Sequence, residues 1–143
     1  MRYLVTLMIT FLFWSCSVKP EPLVYGKDFC YTCKMTLMDN KFGAEVVTTK
    51  GKVYKFDDMN CMINFVNSGY IEEQDIAYRL AIDFANPEKL IDAKDAHYVK
   101  SGTIRSPMAS EIAAFSKKED LDKMNKEWKG ILLSWGELVT EFK

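Results

Sequence analysis

Two cysteines and two methionines fall within the nine-residue stretch Cys30-Tyr31-Thr32-Cys33-Lys34-Met35-Thr36-Leu37-Met38. Thiolate and thioether are soft donors, and together they select Cu(I) over harder ions. A structural zinc site asks instead for four Cys or His ligands in a tetrahedron, usually from paired knuckles. This chain has one Cys-x-x-Cys, no second one, and a single histidine, His97. Met35, two residues after Cys33, tilts the stretch toward copper. Spacing alone leaves two further uses open, a structural disulfide and a thioredoxin-like redox pair. The redox pair expects a strand before the motif and a helix after it, and Gly26-Lys27-Asp28 makes a poor strand end.

The elements that must position these donors follow in the chain. Ala44–Thr49 and Lys52–Phe56 are β-branched and aromatic runs around Lys50-Gly51, which predicts a hairpin. Residues 57–68 predict a helix, with Asp57 as N-cap, Asp58 at the positive end of the dipole and Gly69 just past the last turn. At about 100° per residue, Met59, Cys61, Met62, Ile63, Phe65 and Val66 share one arc. Cys61 and Met62 therefore read first as core residues and second as metal ligands. A strand is expected over 77–84, a short strand or turn over 89–92, and further strands over 96–100 and 111–115. Between the last two, Ser106-Pro107-Met108-Ala109 is a turn that presents a methionine beside a proline. Ser116 with Glu119 three residues on predicts a capping box opening a polar helix to Trp128, closed by Lys129-Gly130. Residues 131–142 carry an apolar cluster around Trp135, expected to pack back as a short strand or helix.

The start of the chain bears on where the site works. Residues 1–15 read as a secretory signal: Arg2 supplies the positive charge, and Leu4–Trp14 is apolar but too short for a permanent span. Phe13-Trp14-Ser15-Cys16 resembles a relaxed bacterial lipobox, which implies a lipid on Cys16 and an anchored rather than spanning protein. An ordinary secreted protein with Cys16 free or paired is the alternative. Residues 16–24 then form a lipidated N-terminus and tether, and residues 25–143 the domain. Cleavage leaves 18 basic against 20 acidic side chains, with no basic stripe of the kind nucleic acid requires. Besides Cys16 the chain keeps Cys30, Cys33 and Cys61. An odd count argues against a small disulfide scaffold.

Five segments, in order, resemble the NosL family of lipoproteins associated with nitrous oxide reductase. Cys30-Tyr31-Thr32-Cys33-Lys34-Met35 is similar to its Cys-x-x-Cys-Gly-Met, and Phe56-Asp57-Asp58 with Cys61-Met62 to its Phe-Asp-Asp segment followed by Cys and Met. Ala96–Gly102, Ser106-Pro107-Met108-Ala109 and Ala114–Asp120 resemble the three later blocks. Lys34 stands where the family has glycine, which leaves that backbone position less free to take positive φ. Ser106 and Ala109 replace two more glycines, and His97 replaces an aromatic residue. The resemblance implies an α+β fold, a small mixed domain of ββα-type units (hairpin plus helix, repeated), related in shape to the organomercurial lyase MerB but without its chemistry.

What the resemblance implies about function is an outward-facing Cu(I) metallochaperone. Its site is expected on Cys33 and Met35, completed by Met108 or His97, with Cys30 as a neighbouring or exchange thiol. Met38, Cys61 and Met62 are further candidates. The expected partners are the membrane, through the lipid on Cys16, and a copper-receiving cuproenzyme or its membrane assembly complex, with nitrous oxide reductase foremost. The expected setting is the inner or outer membrane of a Gram-negative bacterium, facing the periplasm, with the chain a monomer. No Ser-His-acid set and no Gly-rich phosphate loop is present, so no enzyme is expected. The rivals are a periplasmic thiol-disulfide oxidoreductase using Cys30 and Cys33, and a metal-free structural lipoprotein.

Overall fold

The computed structural model describes residues 18–142. The expected signal sequence over 1–15 and the expected lipid site Cys16 lie outside the described residues. Around Gly51, which takes φ 80°, β1 (Ala44–Thr48) folds back antiparallel on β2 (Val53–Phe56), with Val47 opposite Val53. The hairpin runs into α1 (Met59–Asn67), whose buried arc of Met59, Cys61, Met62, Ile63 and Phe65 faces the sheet. Asn64 and Asn67 stay in solvent, and Gly69 at φ 70° ends the element.

A second antiparallel strand, β3 (Ile76–Ile82), takes the other side of β1, and β4 (Leu90–Asp92) pairs with β3, giving the order β2-β1-β3-β4. The motif then repeats. β5 (His97–Lys100) and β6 (Ile112–Phe115) form a pair followed by α2 (Lys118–Trp128). β7 (Ile131–Leu133) adds to the free side of β5, in the order β6-β5-β7, and α3 (Trp135–Glu141) closes the chain. The two sheets meet where the Phe84 N–H donates to the Ala114 carbonyl at 2.8 Å. The fold is thus α+β, with two ββα units. Among the described residues no helix is long and apolar enough to cross a membrane.

Three local expectations shift. α1 starts one residue late, with Asp58 rather than Asp57 at the N-cap. Ser116 does not cap α2: its hydroxyl donates to Asp83 Oδ2 at 2.6 Å, and Lys117 occupies the cap without a side-chain bond. The capping box belongs instead to α3, where Ser134 and Glu137 bond each other's backbone N–H groups. In each case a tertiary partner or a competing local pair decided which polar side chain served the helix end.

Segments assigned by sequence to the tether are docked. Leu23 is buried against Gly43, where an added Cβ would lie 2.7 Å from Leu23 Cδ1. The Glu21 N–H donates to Glu45 Oε1 at 3.0 Å. Glu45 sits on the central strand β1, fully buried, and its Oε2 has no protein partner. Burial raises its pKa to about 7.

A carboxyl group whose folded pKa is raised holds its proton where the unfolded chain has lost it, so stability falls as pH rises between the two values. The window runs from pH 4.5 to about 7. Glu45→Gln should remove that slope and be more stable than wild type at pH 8, by up to about 3 kcal/mol. Urea unfolding of both proteins across this window, read as a difference, checks it; parallel curves would show that Glu45 is not the titrating group.

Candidate metal centre

The cysteine stretch folds as a tight knuckle rather than a strand-helix redox motif. Phe29 bridges Thr36 antiparallel, the Cys30 N–H donates to the Met35 carbonyl at 2.8 Å, and the Leu37 N–H to the Asp28 carbonyl at 2.9 Å. Inside the loop the Lys34 N–H donates to the Cys30 carbonyl at 3.0 Å. That turn puts Lys34 at φ 66°, a conformation costing a non-glycine residue about 1–2 kcal/mol. Its ammonium offsets part of the cost by donating to the Tyr31 carbonyl and lying 4.3 Å from the Tyr31 ring centroid. Two bonds dock the knuckle: the Tyr31 N–H to the Lys55 carbonyl of β2 at 2.8 Å, and the Thr32 hydroxyl to the Cys61 carbonyl of α1 at 3.0 Å.

Docked in this way, the knuckle delivers its thiols to the start of α1. The Sγ atoms of Cys30, Cys33 and Cys61 and a carboxylate oxygen of Asp57 lie within 4.8 Å of one another. Cys30, Cys61 and Asp57 are buried; Cys33 is partly open to solvent. Asp57 is free for this role because Asp58 does the capping. The Asp58 carboxylate accepts from Met59 N at 2.7 Å, from Met108 N at 2.9 Å, from Ser110 N at 3.4 Å and from the Ser110 hydroxyl.

The electrostatics of the cluster make the three thiols unequal. Cys30 is the hub: the neighbouring Cys61 thiol, with the Cys33 and Asp57 backbone N–H groups, favours its thiolate against the opposing effect of burial, and its pKa falls to about 6. Cys61, beside Cys30 in a desolvated position, is pushed strongly up. Desolvation, followed by the Cys30 and Asp57 charges, lifts Cys33 to about 11, although the Met35 N–H works in the opposite direction. The Cys33 thiol donates to both Asp57 oxygens at 3.5 Å.

Of the residues singled out from sequence, the structure brings Cys30, Cys33 and Cys61 together and adds Asp57, which the sequence had assigned to the helix cap. Met108 is partly buried against the main core, and its carbonyl accepts from Asn60 Nδ2 at 3.0 Å. Its turn therefore does lie over the start of α1. Met35 and Met38 are exposed, at 55 % and 74 %, on either side of the buried Leu37. Met62 is fully buried in the core. His97 stands apart in β5, in the other sheet, paired with Phe115 and pointing to solvent because Tyr98 beside it takes the core face. It contributes no atom to the cluster. The clue to Asp57 was the doubled Asp57-Asp58: a helix start uses one carboxylate as its cap.

Three sulfurs and one oxygen converging on a half-buried point form a donor set that suits a soft or borderline ion. Two ββα units framing that cluster define a small α+β domain whose thiol-rich site can hold a metal ion. The sequence profile of the NosL family matches residues 23–142, and the chain belongs to the NosL family. Its fold is similar to the crystal structure of the copper chaperone NosL from Shewanella denitrificans, with a TM-score of 0.70 at 20% identity. That likeness covers 85% of this chain and 96% of the other. Among curated proteins none matches the chain.

The inequality of the thiols is measurable without metal. Thiolate ultraviolet absorbance of the reduced protein should rise by one equivalent around pH 6, and Cys30→Ser should abolish that step. A lowered thiol pKa stabilises the fold above the unfolded value and loses that contribution as pH falls through about 6. A first step near the ordinary thiol value of about 8.5 would refute the assignment of Cys30 as hub.

Proposed function

We propose that this protein is a Cu(I) metallochaperone that holds its cargo on Cys30, Cys33 and Cys61. The observation that carries the reading is the convergence of three thiols with only Cys33 open to solvent. A carrier needs ligands soft enough to retain Cu(I) and one open side where a receiving protein's ligands can enter before its own leave. Cys30 and Cys61 supply the buried floor and Cys33 the open side. Support also comes from the fold neighbour, which is itself described as a copper chaperone. Met108 is proposed to cap the ion as a neutral thioether, since its turn is clamped to Asp58, next to Asp57. Exposed Met35 is proposed as a transfer ligand.

The resemblance noted from sequence extends this proposal to the setting. A lipid on Cys16 would tether the chain to a membrane on the periplasmic side, and a cuproenzyme, nitrous oxide reductase foremost, would receive the copper. One observation favours a second reading: the Asp57 carboxylate completes a set of three thiolates and one oxygen, which also suits Zn(II).

A competition decides between these. The reduced protein should take about one Cu(I) from a strong Cu(I) chelator, yet lose Zn(II) to a modest one. Cys30→Ser, Cys33→Ser and Cys61→Ser should each weaken Cu(I) binding by more than the roughly 10–100-fold that loss of an outer-shell partner costs. Met108→Leu conserves volume, so stability should change by less than about 1.5 kcal/mol while Cu(I) affinity drops. Tight zinc retention without preference for Cu(I) would overturn the copper reading, and unchanged affinity in Met108→Leu would return that residue to packing alone.

A further inference from the structure

We propose that the metal-free cluster is also a thiol-disulfide exchange site, in which Cys33 meets an incoming disulfide and Cys30 resolves it to a Cys30–Cys33 disulfide that bars metal from the site. This regulation rests on the metal-carrier reading for its consequence, but the chemistry needs only the thiols. Cys33 is the one sulfur of the three that solvent reaches; Cys30 and Cys61 are 0 % and 4 % exposed. A disulfide such as oxidised glutathione can therefore begin only at Cys33.

Resolution falls to the sulfur that shares the loop with Cys33. Cys30 lies three residues before Cys33 in the same knuckle, whereas Cys61 reaches the cluster from α1. The turn closed by the Lys34 N–H on the Cys30 carbonyl already folds the two knuckle cysteines toward each other. Closing an S–S bond of roughly 2.05 Å from sulfurs within 4.8 Å then needs side-chain rotation inside one loop. A Cys33–Cys61 bond would instead tie together two separate elements, the knuckle and α1.

The steps balance. Cys33 gives up its proton, its sulfur attacks one sulfur of the incoming disulfide, and the other leaves as a thiolate that takes the proton. Cys30, attacking as a thiolate whose proton has gone to solvent, displaces the second half from the Cys33 sulfur, and that half leaves as a thiolate and takes a proton back from solvent. Two protein thiols are oxidised by two electrons and one disulfide is reduced to two thiols. Cys61 remains as a buried thiol, and two of the three sulfur donors are lost to metal. Asp57, which accepts the Cys33 thiol, loses that donor in the same event.

The test uses the full chain, reduced and free of metal, treated with oxidised glutathione, trapped by acid and alkylation, and mapped by peptide mass spectrometry. The expected product is Cys30–Cys33, with Cys61 alkylated only after denaturation and Cys16 scored separately. Cys30→Ser should stall with glutathione on Cys33, and Cys33→Ser should leave Cys30 and Cys61 unmodified under the same conditions. One equivalent of Cu(I) should protect wild type to a similar degree. A product joined through Cys61, or no intramolecular disulfide in wild type, overturns the exchange site whatever the variants do. If the reduced protein binds Cu(I) in the competition assay yet forms no disulfide, only this inference falls. If it forms the Cys30–Cys33 disulfide but neither binds Cu(I) nor is protected by it, the exchange chemistry stands, while the metal-carrier reading and the barring of metal fall.

Discussion

A buried carboxylate without a cation beside it is stable only if donors surround it. Asp58 meets that condition with four: the Met59 N–H at the first turn of α1, the Met108 and Ser110 N–H groups, and the Ser110 hydroxyl. Hydrogen bonds to a charged group each contribute about 1.5–3 kcal/mol, so this one side chain fixes three things at once. It starts α1, it clamps the Ser106–Ser110 turn of the second ββα unit onto the first, and it leaves Asp57 free. Asp57 then faces the thiols, with a carboxylate oxygen within 4.8 Å of all three sulfurs. The site exists where it does because the second aspartate, not the first, is spent on the helix.

The same burial that gathers the thiols limits how they ionise. Three sulfurs within 4.8 Å in a desolvated pocket cannot all carry charge, so the first negative charge settles where most donors converge, at Cys30. The others then find ionisation harder, through desolvation and through that charge. A cation entering the cluster would reverse this logic, because it favours the charged form of every ligand it touches. The knuckle stays rigid enough to enforce the arrangement: Lys34 accepts a left-handed backbone and recovers part of its cost through Tyr31. Glycine is therefore not required at that position.

Much of the fold was legible in the sequence because the decisive signals are local. The hairpin around Gly51, the amphipathic arc of α1, the strand at Tyr98-Val99 and the polar helix up to Trp128 all follow from periodicity and turn chemistry read over a few residues. Where two local readings competed, the sequence could not choose. Ser116-x-x-Glu119 and Ser134-x-x-Glu137 are the same signal, yet only the second caps a helix, because Asp83, just past the end of β3, claims the Ser116 hydroxyl.

The candidate site divides along the same line. Cys30 and Cys33 announced themselves, since their spacing is itself a tight loop and needs no distant contact to bring the sulfurs near each other. The methionines looked equal to them on paper, but Met35 and Met38 are exposed on either side of the buried Leu37, and Met62 faces the core. His97 lost its place because β5 shows it to solvent in the other sheet. Cys61 carried no signal that separated a ligand from a core residue, and the doubled Asp57-Asp58 did not say which carboxylate would be the cap. Periodicity put Cys61 on the buried face of α1, and it is there; what it meets on that face depended on the knuckle docking through Tyr31 and Thr32. By itself the sequence determined which donors lie within one loop's reach. Only the tertiary structure could decide which donors from separate elements share one pocket, because that choice is made by buried hydrogen bonds between residues that are tens of positions apart.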